Sequence, residues 1–74
     1  MNRDMLEGQW TQLKGRVRER WGKLTDDDLD RIAGKRDQLI GTIQQKYGAA
    51  RDAAAKEVSD FEAKLEQKSA ASSH

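Results

Sequence analysis

Residues 21–34 read WGKLTDDDLDRIAG, and this stretch decides the fold. Gly22 suits the left-handed backbone position at which a helix commonly ends. Thr25 then offers an N-cap hydroxyl, and Asp26, Asp27 and Asp28 bring negative charge to the positive end of the helix that follows. Leu29, Ile32 and Ala33 give this short helix one apolar side, and Gly34 closes it. One helix ends, another begins within a few residues, and the two form a hairpin.

Upstream, Leu6, Trp10, Leu13, Val17, Trp21 and Leu24 recur at steps of 4, 3, 4, 4 and 3. That spacing keeps them on one stripe of a helix turning about 100° per residue. Downstream, a third helix is predicted over about residues 35–47, carrying Leu39, Ile40, Ile43 and Tyr47 and stopping at Gly48. A fourth, over about 49–67, places Ala50, Ala54, Val58, Phe61 and Leu65 on its inner face. The closing SAASSH has no periodicity, so residues 1–67 are expected to form one helical domain and 68–74 a flexible tail.

The glycines expose an internal repeat. All six fall at 8, 15, 22 and at 34, 41, 48, two triplets with a spacing of seven and an offset of 26. The same offset superposes Gln12-Leu13 on Gln38-Leu39, Val17 on Ile43, Arg20 on Lys46, Trp21 on Tyr47, Asp26 on Asp52 and Ile32 on Val58. The expected fold is therefore all-α: about four helices arranged as two packed α-hairpins related by the repeat. Trp21 and Tyr47, as equivalents, are both expected at the hairpin interface. On a helical wheel both glycine triplets lie away from the apolar stripe, so they are not expected to serve close approach of the hairpins. Gly15 and Gly41 sit inside helices, where each costs roughly 0.8 to 1 kcal/mol relative to alanine. Either they are tolerated, or an outer glycine stripe keeps the domain marginally folded and leaves a flat surface for a partner helix.

Composition narrows the possibilities further. The chain has 74 residues, 35% hydrophobic and 36% charged, and nine of the hydrophobic residues are alanine, so the core must be thin. Without cysteine it has neither a disulfide framework nor a thiolate zinc site, which points to a reducing compartment. MNRDMLEGQW lacks the apolar run of a signal peptide and no stretch approaches a membrane span, so a cytoplasmic location is expected. The net charge is +1, but it is layered: residues 1–24 carry +3, 25–34 carry −3, 35–51 carry +3 and 52–74 carry −2. Successive helices alternate in sign and should attract their neighbours modestly.

Several residues resemble the CsbD-like family of small bacterial proteins associated with general stress responses. Gly8, Trp10, Gln12, Lys14-Gly15, Val17 and the run Trp21 to Asp28 are similar to its first block. Gly34-Lys35, Leu39, Gly41, Ile43-Gln44 and Tyr47-Gly48 are similar to its second. The resemblance spans about residues 4–65, and the Ala/Ser-rich tail departs from it. It implies a small all-helical bacterial protein induced under stress. It supplies no catalytic, cofactor-binding or metal-binding residue.

The residues themselves give none either. His74 is the last residue of the tail and reads as a solvated end. Asp26, Asp27, Asp28 and Asp30 lack the central glycine and distal glutamate of a calcium loop and read as dipole complements. Lys14, Arg16, Arg18, Arg20 and Lys23 make the first helix basic, but they spread over more than half its circumference while Trp10 and Trp21 point along the core stripe. That distribution, with a pI of about 8.1, disfavours nucleic acid. Membrane-surface binding is disfavoured too, because the apolar face of this helix is needed inside. The expected function is that of a non-enzymatic stress-response protein, a monomer acting through surface contacts or hydration. The alternative is a helical module binding a protein partner or nucleic acid.

Overall fold

In the computed structural model, which describes the backbone of residues 4–72 and the side chains of residues 6–65, every element is helical. The order is α1 (Asp4–Gly8), α2 (Trp10–Arg20), α3 (Asp26–Ile32), α4 (Arg36–Tyr47) and α5 (Arg51–Ser72). The all-α expectation holds, with five helices among the described residues because the predicted first helix is broken at Gln9. Gln9 has φ −120° and ψ 21°, and its carbonyl accepts from the amides of Gln12 and Leu13, so it starts α2 afresh. At the other end α5 continues to Ser72, past the predicted stop at 67. Of the segment 68–74 expected to be a flexible tail, the side chains and residues 73 and 74 lie outside the described residues.

The link between α2 and α3 forms by the chemistry read from residues 21–34, with one correction. Thr25 is extended, its hydroxyl accepts from the Asp28 amide at 3.2 Å, and the Asp28 carboxylate accepts from the Thr25 amide at 3.0 Å. This reciprocal pair is a capping box. Gly22, however, is not left-handed: α2 stops because Trp21 leaves helical geometry at φ −124° and ψ 84°. The left-handed residues are Ala33, Gly34 and Gly48, at φ 50°, 81° and 65°, and they end α3 and α4.

The core is one cluster drawn from every helix. Leu6 of α1, Trp10, Leu13 and Val17 of α2, Trp21 and Leu24 of the link, Leu29 and Ile32 of α3, Leu39, Ile40 and Ile43 of α4, and Ala54, Val58 and Phe61 of α5 are all buried together. Leu65 packs on its edge. Enclosing such side chains stabilises each by roughly 1.5 to 3 kcal/mol, and this burial is the main force holding short helices in place.

Several expectations about the core fail. Ala33 is the exposed left-handed cap of α3, and Ala50 is exposed just before α5 begins. Tyr47 is 40% exposed, and its hydroxyl accepts from the Lys23 amide at 3.1 Å on the surface. Gly34 does serve a close approach: a Cβ built there would lie 2.7 Å from the Glu7 Cα and 2.8 Å from the Leu6 carbonyl oxygen. The backbone of α1 therefore rests directly on the α3–α4 corner. Gly8, Gly15, Gly22, Gly41 and Gly48 face open space, as their place on the wheel predicts.

Candidate interaction surface

The alternating charges of the helices meet as ion pairs. Among the described residues, Lys14–Asp30 at 2.9 Å and Arg18–Asp26 at 2.6 Å join α2 to α3, and Lys46–Asp28 at 3.0 Å joins α4 to α3. Arg36–Glu62 at 3.2 Å and Arg51–Asp37 at 3.6 Å join α4 to α5, and Arg20–Glu57 at 3.3 Å joins α2 to α5. Most of these pairs are exposed, where each is worth about 0 to 1 kcal/mol and is weakened by salt.

The basic cluster of α2 and the link after it is largely engaged within the molecule. Lys14, Arg18 and Arg20 hold carboxylates, the Arg20 guanidinium also stands 5.1 Å from the Trp21 ring centre, and the Lys23 ammonium stands 5.0 Å from that of Tyr47. Of the five, Arg16 has neither an ion pair nor an aromatic partner among the described residues. Trp10 and Trp21 are core residues as predicted. The Trp10 indole donates to the Leu29 carbonyl at 3.1 Å, and the Trp21 indole donates to the Glu57 carboxylate at 3.0 Å.

The aspartate run is occupied as well. Asp26 and Asp30 face Arg18 and Lys14, while Asp27 is exposed. The Thr25 amide, and after it the Lys46 ammonium, hold the Asp28 carboxyl below its ordinary pKa of 3.8. His74 lies outside the described residues.

Sequence reasoning missed Glu62, a buried carboxylate that accepts from Arg36, whose guanidinium also donates to Ser59 at 2.7 Å. The available signal was its place: 58, 61, 62 and 65 follow the i, i+3, i+4, i+7 rule and share the inner face of α5.

A groove runs between α2 and α5, which lie in opposite directions, with Arg20 beside Glu57 and Phe61, and Arg16 near Leu65. Its volume is about 390 Å³. Phe61 and Leu65 supply the apolar floor, and Arg16, Glu19, Arg20 and Lys64 form the rim. Phe61 is fixed from below by Trp21, with ring centres 5.2 Å apart and planes tilted by 59°. Among the described residues no helix is long and apolar enough to cross a membrane.

The sequence pattern of the CsbD-like family matches residues 4–56. The UPF0337 protein YjbJ of Escherichia coli K12 is 58% identical over 66 residues, 89% of this chain and 96% of the relative. A UPF0337 protein of Pectobacterium atrosepticum is 58% identical over 62 residues, 84% of this chain and 90% of the relative. One from Protochlamydia amoebophila is 50% identical over 64 residues, 86% of this chain and 97% of the relative. The pattern match over most of the chain and these close relatives lead to one conclusion: the chain belongs to the CsbD-like family.

Proposed function

We propose that this chain is a non-enzymatic, cytoplasmic protein of the bacterial stress response that protects other molecules through its surface, by transient contacts and by hydration. The observation that carries this reading is the engagement of the reactive-looking side chains. The cations of α2, the aspartates of α3 and the carboxylates of α5 hold helices together. Their heads stay wet while their stems cover a thin core, which leaves a water-binding surface of mixed sign. Engagement of Lys14, Arg18, Arg20 and Lys23 inside the molecule also weighs against phosphate binding as the main activity, since that affinity needs available cations.

Drying an indicator enzyme with increasing amounts of this protein tests the reading. Recovered activity should climb with molar excess and show no saturation near one to one, and albumin at equal mass should protect less. A pull-down from stressed cells, with bound protein and RNA both identified, is the companion experiment. An enzyme recovery no better than with albumin, together with one stoichiometric RNA or protein complex, would overturn protection in favour of a dedicated binding module.

A further inference from the structure

We propose that the α2–α5 groove is a docking site for a short, acidic, amphipathic helix of a partner protein. Two antiparallel helices with a notch between them offer a third helix a seat, into which apolar side chains spaced i, i+3 or i+4 can settle. Phe61 and Leu65 are themselves spaced by four and present one such register along the floor. On the α2 wall Arg16 and Arg20 repeat with the same spacing, Arg20 already holding Glu57, and Lys64 stands on the opposite wall, with Glu19 as the one carboxylate on the rim. Arg16 and Lys64 form no ion pair among the described residues, unlike the cations that tie α2 to α3.

The charge of this rim selects the occupant. A second copy seated on the same groove by two-fold symmetry would bring one cation-rich rim against another, which is unfavourable. A helix with carboxylates flanking an apolar stripe meets the floor with leucines and both walls with opposite charge. The groove thus gives the surface contacts proposed above one defined location, and the inference rests on that part of the reading.

The probe is a synthetic peptide of about 15 residues with leucine at i, i+4 and i+7 and glutamate on the flanks, long enough to be helical once docked. It is titrated into isotopically labelled protein and followed by amide NMR shifts. Saturable shifts confined to residues 16–20 and 60–65 are expected, with none from the lysine-flanked version of the peptide. The double variant Arg16→Glu with Lys64→Glu should weaken binding at least about tenfold, because it inverts the rim. Arg31→Glu with Lys35→Glu, which makes the same charge change at exposed sites off the groove, should leave binding within about twofold. Circular dichroism checks that both variants fold.

No saturation up to about 1 mM peptide would overturn the proposal, as would equal weakening by both variants or equal binding of a scrambled acidic peptide. Shifts of the same residues by anionic phospholipid vesicles but not by peptide would replace it with a membrane contact. A concentration-dependent dimer through this face would replace it with self-association. The two proposals fail separately: loss of peptide binding with intact protection of a dried enzyme removes the groove alone, and the converse removes protection alone.

Discussion

Trp21 and Tyr47 are matched by the 26-residue offset, the first capping the end of α2 and the second closing α4, yet one is enclosed and the other lies on the surface. The difference comes from what each unit places next. Trp21 is covered by Phe61 of the long α5. The residue 26 positions before Phe61 is Lys35, which follows the end of the seven-residue α3 and is exposed. Tyr47 has no aromatic lid to go under, so it lies along the α2–α3 link with its hydroxyl on the Lys23 amide. Similar motifs acquire different environments when the elements behind them differ in length.

The largest test of this contrast removes the two rings. Trp21→Ala should cost about 3 to 5 kcal/mol, since it opens a cavity at the centre of the core. Tyr47→Ala should cost only about 1 kcal/mol, the worth of one surface hydrogen bond and partial packing. Thermal melts followed by circular dichroism measure both, and equal losses would remove the distinction.

The next pair compares Gly34 with its equivalent Gly8. At Gly34 a methyl group meets the α1 backbone and the φ is +81°, so Gly34→Ala should destabilise by roughly 2 to 4 kcal/mol. Gly8→Ala meets open space at a helix end and should change stability by under about 0.5 kcal/mol. Denaturant titrations giving equal midpoints for the two variants would mean that α1 does not rest on the corner.

Gly15 and Gly41 are equivalents that behave alike, and their variants should have the opposite sign. Both are helical with open space around the added methyl, so Gly15→Ala with Gly41→Ala should stabilise by roughly 1.5 to 2 kcal/mol. Each kcal/mol raises the melting temperature of a domain this small by about 4 to 8 °C. If the stabilised protein also protects a dried enzyme less well, marginal folding is part of the mechanism; equal protection would show that it is not.

The smallest effect concerns Asp28, whose equivalent is the buried Ala54. Its carboxyl titrates lower when folded than the ordinary 3.8, so its contribution is present above about that pH and is lost as pH falls through the folded value. The stability gap between the parent and Asp28→Asn should therefore be constant near neutrality and close only in strongly acidic solution. Acid titration of both, monitored by helicity, gives the two curves.

What could be read from the sequence was what neighbours along the chain decide. The stripe from Leu6 to Leu24 and the Thr25 cap follow from local spacing, as do Ala54, Val58 and Phe61 on the inner face of α5; the core contains the stripe and these three, with Leu65 at its edge and Ala50 outside it. Tyr47, Gly34 and the Arg36–Glu62 pair depend on which segment lies opposite, and no local pattern carries that information. The same holds for the surface. The four cations of α2 and Lys23 just after it were plain in the sequence, but which of them would find a carboxylate depended on where α3 and α5 came to rest.

The Glu57 carboxylate accepts from the Trp21 indole while Arg20 stands over the same ring, whereas the Trp10 indole donates to a neutral carbonyl on α3. The protein therefore carries two intrinsic fluorophores in electrically different settings, one at the α2–α3 contact and one beneath the α2–α5 groove. With either tryptophan replaced by phenylalanine, the emission of the other reports on one side of the molecule alone. Opening of the two sides during drying can then be timed separately, without an added label.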